Sequence, residues 1–186
     1  MCESFCLSHI CKPCQALHLT PSLYKRKLPN GTEVLSFYKY KEIKELLHTK
    51  HTDLGYYIYN IMAKNSFTLF AKEFDYPTMT YSLGVDDTTK SGYSHTAILN
   101  KALNSNNITP LYAKLRAKNA VSYSGKSKSF RKQNPREFYL KETPQDAFIL
   151  VDDIITTGTT LLEATQSIIK ESKEVLFCLT LADASY

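Results

Sequence analysis

Residues 148–151 form an unbroken apolar run, Phe-Ile-Leu-Val, that ends in two adjacent carboxylates, Asp152 and Asp153. After Ile154 and Ile155 comes Thr156-Thr157-Gly158-Thr159-Thr160, and residues 159–170 then carry apolar side chains at helical spacing. A short, β-prone run without polar alternation suits a strand covered on both faces, as in a parallel sheet. Strand, acidic pair, hydroxyl-rich turn and helix together place a polar loop at the carboxyl end of a buried strand. Open α/β sheets bind their ligands there.

The turn has the chemistry of an anion site. The start of the 159–170 helix offers N–H groups without intrahelical partners, and its dipole favours a dianionic phosphate. Gly158 has no Cβ, so the reading lets the backbone come close to phosphate oxygens. Thr156, Thr157, Thr159 and Thr160 add hydroxyl donors without charge, while Asp152 and Asp153 are acceptors that suit paired sugar hydroxyls or a water on Mg²⁺. The segment therefore reads as a ribose 5-phosphate site. The bland alternative is an acidic turn with a threonine N-cap. A Walker loop is excluded, since no Gly-Lys-Ser/Thr follows a four-residue spacer.

The rest of the chain repeats the alternation of strand and helix. Residues 32–38 read as a strand and 40–49 as a helix, with Ile43, Leu46 and Leu47 on one face; a second helical region covers 53–74. Residues 78–83 read as a strand, the turn 84–90 leads into a helix through Ala97, Ile98 and Leu103, 109–114 suits a short strand, and 175–181 another buried one. Residues 122–129, rich in Ser, Gly and Lys, read as a mobile loop. The pattern predicts an α/β, doubly wound parallel sheet. With 186 residues, one main domain over 20–186 is expected, preceded by a small module over 1–19.

Four of the five cysteines, Cys2, Cys6, Cys11 and Cys14, fall within the first fourteen residues. Four thiolates at this spacing can enclose a tetrahedral Zn²⁺ as a structural site without an open position, with residues 11–14 as the knuckle. His9 or His18 can replace one thiolate, and thiol redox chemistry through Cys11 and Cys14 is the alternative. Cys178, inside an apolar strand, reads as a buried thiol. No run approaches the ~18 apolar residues of a membrane span, and the start lacks a signal-peptide core, so a cytoplasmic location is expected.

Charge is unevenly spread. Lys114, Arg116, Lys118, Lys126, Lys128, Arg131, Lys132, Arg136 and Lys141 face only Glu137, a local charge of +8 within a chain of net +5, which leaves the remainder at −3. Such asymmetry points to a polyanionic partner. With Tyr123, Phe130, Phe138 and Tyr139 interleaved, the segment suits single-stranded nucleic acid, whose phosphates the cations neutralise and whose bases the rings stack. The alternatives are a solvated face with Phe130 and Phe138 in the core, or a basic flap closing over a diphosphate. Tyr56, Tyr57 and Tyr59 read as helix packing.

The run FILVDDIITTGTT resembles the signature of type I phosphoribosyltransferases. With the four-cysteine start, the Gly92-Tyr93 helix entry, Arg131-x-x-Asn134 and Phe138, the chain is similar to the ComF (ComFC) competence-protein family. The resemblance implies a phosphoribosyltransferase-like sheet under a variable hood. It also implies binding of phosphoribosyl diphosphate with Mg²⁺ and a role in natural transformation. There the protein would handle incoming single-stranded DNA at the inner membrane with a helicase-like partner, and peripheral membrane contact would follow. Transferase activity, joining a nitrogenous base to the ribose with release of pyrophosphate, is the other function it implies.

The chain departs from that pattern at residues 91–95, Ser-Gly-Tyr-Ser-His, where Arg-Gly-Phe-Asn-Gln is usual. In the preceding loop Asp86 and Asp87 repel a diphosphate and Lys90 attracts it; Arg131 and Asn134 are the further diphosphate candidates. Thr156 stands where purine-salvage relatives carry an aspartate base, and an unaided hydroxyl is no general base near neutral pH.

Overall fold

The computed structural model describes residues 8–86, 89, 92–119, 121 and 127–186, with the side chains of Lys128, Arg131 and Lys132 left out. Among the described residues, the first elements are helix α1 (Lys12–His18) and the strands β1 (Tyr24–Lys27) and β2 (Glu33–Lys39). Helices α2 (Tyr40–Leu47), α3 (Asp53–Asn65) and α4 (Phe67–Glu73) lead to β3 (Thr80–Gly84), α5 (His95–Lys101) and β4 (Ile108–Leu111). Then come β5 (Leu115–Ala117), α6 (Lys128–Gln133), β6 (Phe138–Leu140), β7 (Ala147–Ile155), α7 (Thr159–Lys170) and β8 (Glu174–Asp183).

Among the described residues, six strands form one sheet in the order β1-β2-β8-β7-β3-β4. All neighbours from β2 to β4 are parallel; only the β1 edge runs antiparallel. The apolar run of β7 lies near the centre, and its alternation assigns each side chain to a face. Ile149 and Val151 join the core built with α2 to α5, including Ile43, Leu47, Met62, Phe67 and Leu99. Phe148 and Leu150 join the opposite core with Leu161, Ala164 and Ile168 of α7 and Leu115 and Phe138 of the β5–β6 ribbon. Both faces being covered is why this strand reads as continuously apolar.

Elements β5, α6 and β6 were not read from the sequence, and three further differences concern β1, the helical region 53–74 and β7. Residues 20–31, polar and proline-punctuated, contain β1, which turns back through Gly31 (φ 87°) and pairs with β2. The helical region 53–74 breaks at Ser66, whose buried hydroxyl donates to the Met62 carbonyl and competes with the helical ladder. Strand β7 runs four residues past Val151 because Asp152 and Ile154 stay in register with Thr180 and Ala182 of β8. Of the expected 122–129 loop, 122–126 lie outside the described residues, while 128 and 129 belong to α6, which Ser127 caps by accepting the Phe130 N–H at 3.1 Å.

The described part of the amino-terminal segment packs on the main core. Leu19 is buried there, and its carbonyl accepts the Tyr38 hydroxyl at 2.9 Å. Gln15 accepts from Asn65 of α3 at 3.0 Å. Cys11 is buried and immediately precedes α1, whose first turn carries Pro13 and Cys14; Cys2 and Cys6 lie outside the described residues. Among the described residues, no helix is long and apolar enough to cross a membrane.

Candidate functional site

Parallel strands end at one edge of the sheet, so the carboxyl termini of β3, β7 and β8 bring Asp86, Asp152, Asp153 and Asp183 to the same rim. The Thr156–Thr160 turn lies there too. Thr156 and Thr157 are exposed, and Gly158 takes φ 78°, ψ 0° at the head of α7. Its carbonyl accepts the first helical bond, from Leu162 N–H at 2.8 Å. The N–H groups of the first turn beyond it have no intrahelical carbonyl to reach. The Thr157 and Thr159 hydroxyls lie 2.9 Å apart.

Gly158 has two structural reasons to be glycine. A side chain would be strained at its positive φ, and a Cβ would sit 2.9 Å from Leu28 Cδ2 at the tip of the β1–β2 hairpin. The missing Cβ leaves room for the Leu28 side chain, beside the approach of a phosphate to the backbone that the sequence suggests. The hairpin also holds the turn. Arg26 donates through Nη1 to the Thr156 carbonyl at 3.1 Å and to Asp183 Oδ1 at 3.0 Å. Asp183, at the end of β8 and almost fully buried, also receives the Ser185 N–H and hydroxyl at 2.8 and 2.7 Å.

The two neighbouring acids are not equivalent. Asp153 points into the protein, where its Oδ2 receives Lys50 Nζ at 3.0 Å and the Tyr59 hydroxyl at 3.3 Å, with His95 Nε2 at 3.5 Å. Its side chain is 9% exposed. Burial alone would raise its pKa, but His95 and Lys50 outweigh burial and hold the carboxyl well below the usual carboxylate range. Asp152 is half-buried and accepts the Asp153 N–H at 2.8 Å. Burial pushes its carboxyl up, and the charge of Asp153 adds to the effect. Lys50 is raised by Asp153 against the pull of burial, and the Tyr59 phenol is raised strongly, by burial first and by Asp153 second.

The partners of Asp153 come from three places that sequence spacing does not connect: the α2–α3 turn, α3 and the start of α5. Helix α5 starts at Ser94, whose hydroxyl accepts the Ala97 N–H at 3.2 Å, and this sets His95 in the first turn. His95 meets His51 edge to face at 5.3 Å and Tyr59 at 5.6 Å. Lys50, His95, Arg26 and Asp183 were not singled out from the sequence for this site. Only His95 left a signal, as a departure from the expected glutamine. Tyr59 packs in the core as expected, and its hydroxyl joins the acid.

The remaining candidates are scattered. Asp86 (φ 50°) faces Arg136 Nη1 at 3.5 Å, while Asp87 and Lys90 lie outside the described residues. Arg136 turns inward: its N–H donates to Glu163 Oε2 at 2.8 Å and its Nε to the Val121 carbonyl at 3.1 Å. Asn134 ends α6, its amide donating to the Phe130 carbonyl at 2.9 Å. Lys128, Arg131 and Lys132 lie on α6, and Lys126 is outside the described residues. Lys114 donates to the Glu142 carbonyl at 2.8 Å, Arg116 is half-buried on β5, and Lys118 is exposed. Phe138 is in the core, whereas Tyr139 is 38% exposed. A cleft of about 470 Å³ between α7 and the β5–β6 ribbon, lined by Lys118, Tyr139, Glu163 and Lys170, involves neither Asp152 nor the threonine turn.

This architecture, a mostly parallel sheet with an acidic strand end running into a Thr/Gly turn and a helix, is that of a type I phosphoribosyltransferase-like domain. The PRTase-CE family profile matches residues 33–184, and the chain belongs to that family. No curated protein matches the sequence. Solved structures similar to the chain include adenine phosphoribosyltransferase from Trypanosoma brucei, 16% identical, with TM-score 0.46 and coverage of 92% of this chain and 79% of that one. Orotate phosphoribosyltransferase from Aeropyrum pernix is 16% identical, with TM-score 0.42 and coverage of 91% and 78%. Hypoxanthine phosphoribosyltransferase from Staphylococcus aureus is 16% identical, with TM-score 0.41 and coverage of 67% and 62%.

The Asp153 cluster yields a stability prediction. Asp153→Asn removes the counter-charge of Lys50, and because Lys50 keeps some contact with water the loss at pH 7 should be ~2 kcal/mol rather than the ~3–5 of a fully buried pair. A pKa lowered by folding contributes stability above the unfolded value of about 4, and that stability is lost as pH falls through the folded value. Urea unfolding of both proteins at pH 7 and in acid should therefore show the difference shrinking below about pH 4.

Proposed function

We infer that the chain binds a ribose 5-phosphate-type ligand, phosphoribosyl diphosphate among them, at the carboxyl end of β7. The observation that carries this reading is the direct run from Asp152 through the Thr156–Thr160 turn into the first turn of α7, a helix of 12 residues. A dianionic phosphate is suited by the N–H groups of that first turn and by the hydroxyls of Thr156, Thr157, Thr159 and Thr160. The sugar hydroxyls are suited by Asp152, the half-buried member of the acid pair, which accepts from them when ionised. Arg26, through the Thr156 carbonyl, holds the turn in place before any ligand arrives. A site organised in advance loses less freedom on binding.

Two finer elements belong to this reading. Cys2, Cys6, Cys11 and Cys14 hold a structural Zn²⁺; Cys11 and Cys14, close together at the start of α1, fit the knuckle of such a site. The basic segment 114–141 serves as the surface for single-stranded DNA, in keeping with the likeness to ComF proteins, from which the helicase-like partner and membrane contact also derive. Lys118 and Tyr139, both exposed, are its supports among the described residues.

Calorimetry with ribose 5-phosphate and phosphoribosyl diphosphate tests the site. Gly158→Val should abolish binding, and Asp152→Asn should weaken it by about tenfold or more, a loss of ~1.4 kcal/mol; unchanged affinity in both variants would remove the site from this turn. Consumption of phosphoribosyl diphosphate with any base of a panel would make the protein a transferase. Metal analysis of the purified chain should find zinc that Cys11→Ser releases, and a zinc-free preparation counts against the cysteine site. Oligonucleotide affinity should fall steeply with salt as released counterions are replaced; binding indifferent to salt would argue against the basic segment.

A further inference from the structure

Magnesium accompanies sugar diphosphates at carboxylate pairs because it needs hard oxygen ligands and neutralises the acids and the diphosphate together. The acid pair here does not fit that use. Asp153 already receives the Lys50 ammonium at 3.0 Å and the Tyr59 hydroxyl at 3.3 Å on Oδ2, with His95 Nε2 at 3.5 Å from the same oxygen. The donors converge on a side chain that is 9% exposed. A divalent ion drawn to this carboxylate would meet a positive charge in contact with it.

The position of Lys50 is built rather than incidental. It sits in the turn between α2 and α3, where Thr49 donates its hydroxyl to the Leu46 carbonyl at 2.6 Å and Lys50 its N–H to the Leu47 carbonyl at 3.2 Å. Thr52 closes the turn by donating its hydroxyl to the Thr49 carbonyl at 2.6 Å, and it caps α3 by accepting the Gly55 N–H at 3.1 Å. Gly55 permits this closure, because a Cβ there would run into the Thr49 carbonyl and the Tyr93 hydroxyl. His51, at φ 72°, donates its N–H to that same hydroxyl at 3.1 Å. The backbone beneath the ammonium is therefore tied to α2, to α3 and to the entry of α5. The second acid of the rim follows the same pattern, since Asp86 faces Arg136 at 3.5 Å.

We propose that Lys50 is the resident cation of this site: fixed on Asp153, its ammonium takes the place of a divalent metal, and the sugar phosphate binds metal-free through Asp152 and the α7 turn. The proposal rests on the ligand reading above and narrows it. Asp153 supports the site from beneath as a positioning residue for Lys50, and Asp152 is the acid left for the sugar. The ligand phosphate is met by helix N–H groups and hydroxyls, which need no metal to bind it.

The test uses the full chain and phosphoribosyl diphosphate as the probe, titrated calorimetrically in excess chelator and again in millimolar Mg²⁺. Wild-type affinity should change by less than about twofold between the two buffers, while Lys50→Met should lose about tenfold in chelator and regain it with Mg²⁺. In a second measurement, electron paramagnetic resonance with Mn²⁺ alone, Lys50→Met should bind the ion more tightly than wild type. Wild-type binding that needs Mg²⁺ would overturn the role of Lys50 and leave the ligand site standing. Absence of binding in both buffers would overturn the ligand site and the proposal together. The wild-type titrations decide the matter even if Lys50→Met does not fold.

Discussion

Two carboxylates side by side at the end of a buried strand cannot both stay charged without a counter-ion close by. The two acids at the end of β7 solve this unequally. Asp153 turns inward to Lys50, Tyr59 and His95, and Asp152 keeps its place at the rim with its carboxyl pushed up by burial and by its neighbour. The arrangement ties together the α2–α3 turn, α3, the start of α5 and the end of β7. Charge compensation thereby fixes the side of the site remote from the threonine turn.

The other side is fixed by a second buried acid. Asp183 at the end of β8 holds Arg26 of the edge hairpin, and Arg26 holds the carbonyl of Thr156. The Leu28 side chain at the hairpin tip also lies against Gly158, 2.9 Å from where a Cβ would stand. Parallel pairing brings these ends together: beyond a one-residue shift at Phe148/Ile149, β7 and β8 keep one register from Ile149↔Phe177 to Ile155↔Asp183, so Asp152, Asp153 and Asp183 finish at one edge. An ion pair and an aliphatic side chain thus hold the turn in place from the hairpin side. Such preorganisation is what binding an anion in water requires.

Periodicity and turn chemistry made much of the fold legible. The β7–α7 unit could be read because an apolar run, two acids and a threonine-glycine turn are contiguous, and α7 begins and ends at the residues its spacing indicates. Strands β2, β3 and β8 were legible for the same local reason. Strand β1 was not, because an edge strand of Tyr, Lys and Arg has no apolar pattern and is stabilised by pairing alone. The break at Ser66 was also hidden, since a serine within a helical run gives no sign of whether its hydroxyl will turn to the carbonyl four residues back.

The amino-acid sequence by itself determined the class of fold, the place of the Thr156–Thr160 turn and the presence of paired acids, since each depends on neighbours within a dozen residues. Only the tertiary structure decided what the acids do. Lys50, Tyr59 and His95 are separated from Asp153 by 103, 94 and 58 positions, and no local pattern marks a lysine in a turn as the partner of a distant carboxylate. That choice follows from burial: the cost of an uncompensated charge becomes large only after the sheet and helices have excluded water around it.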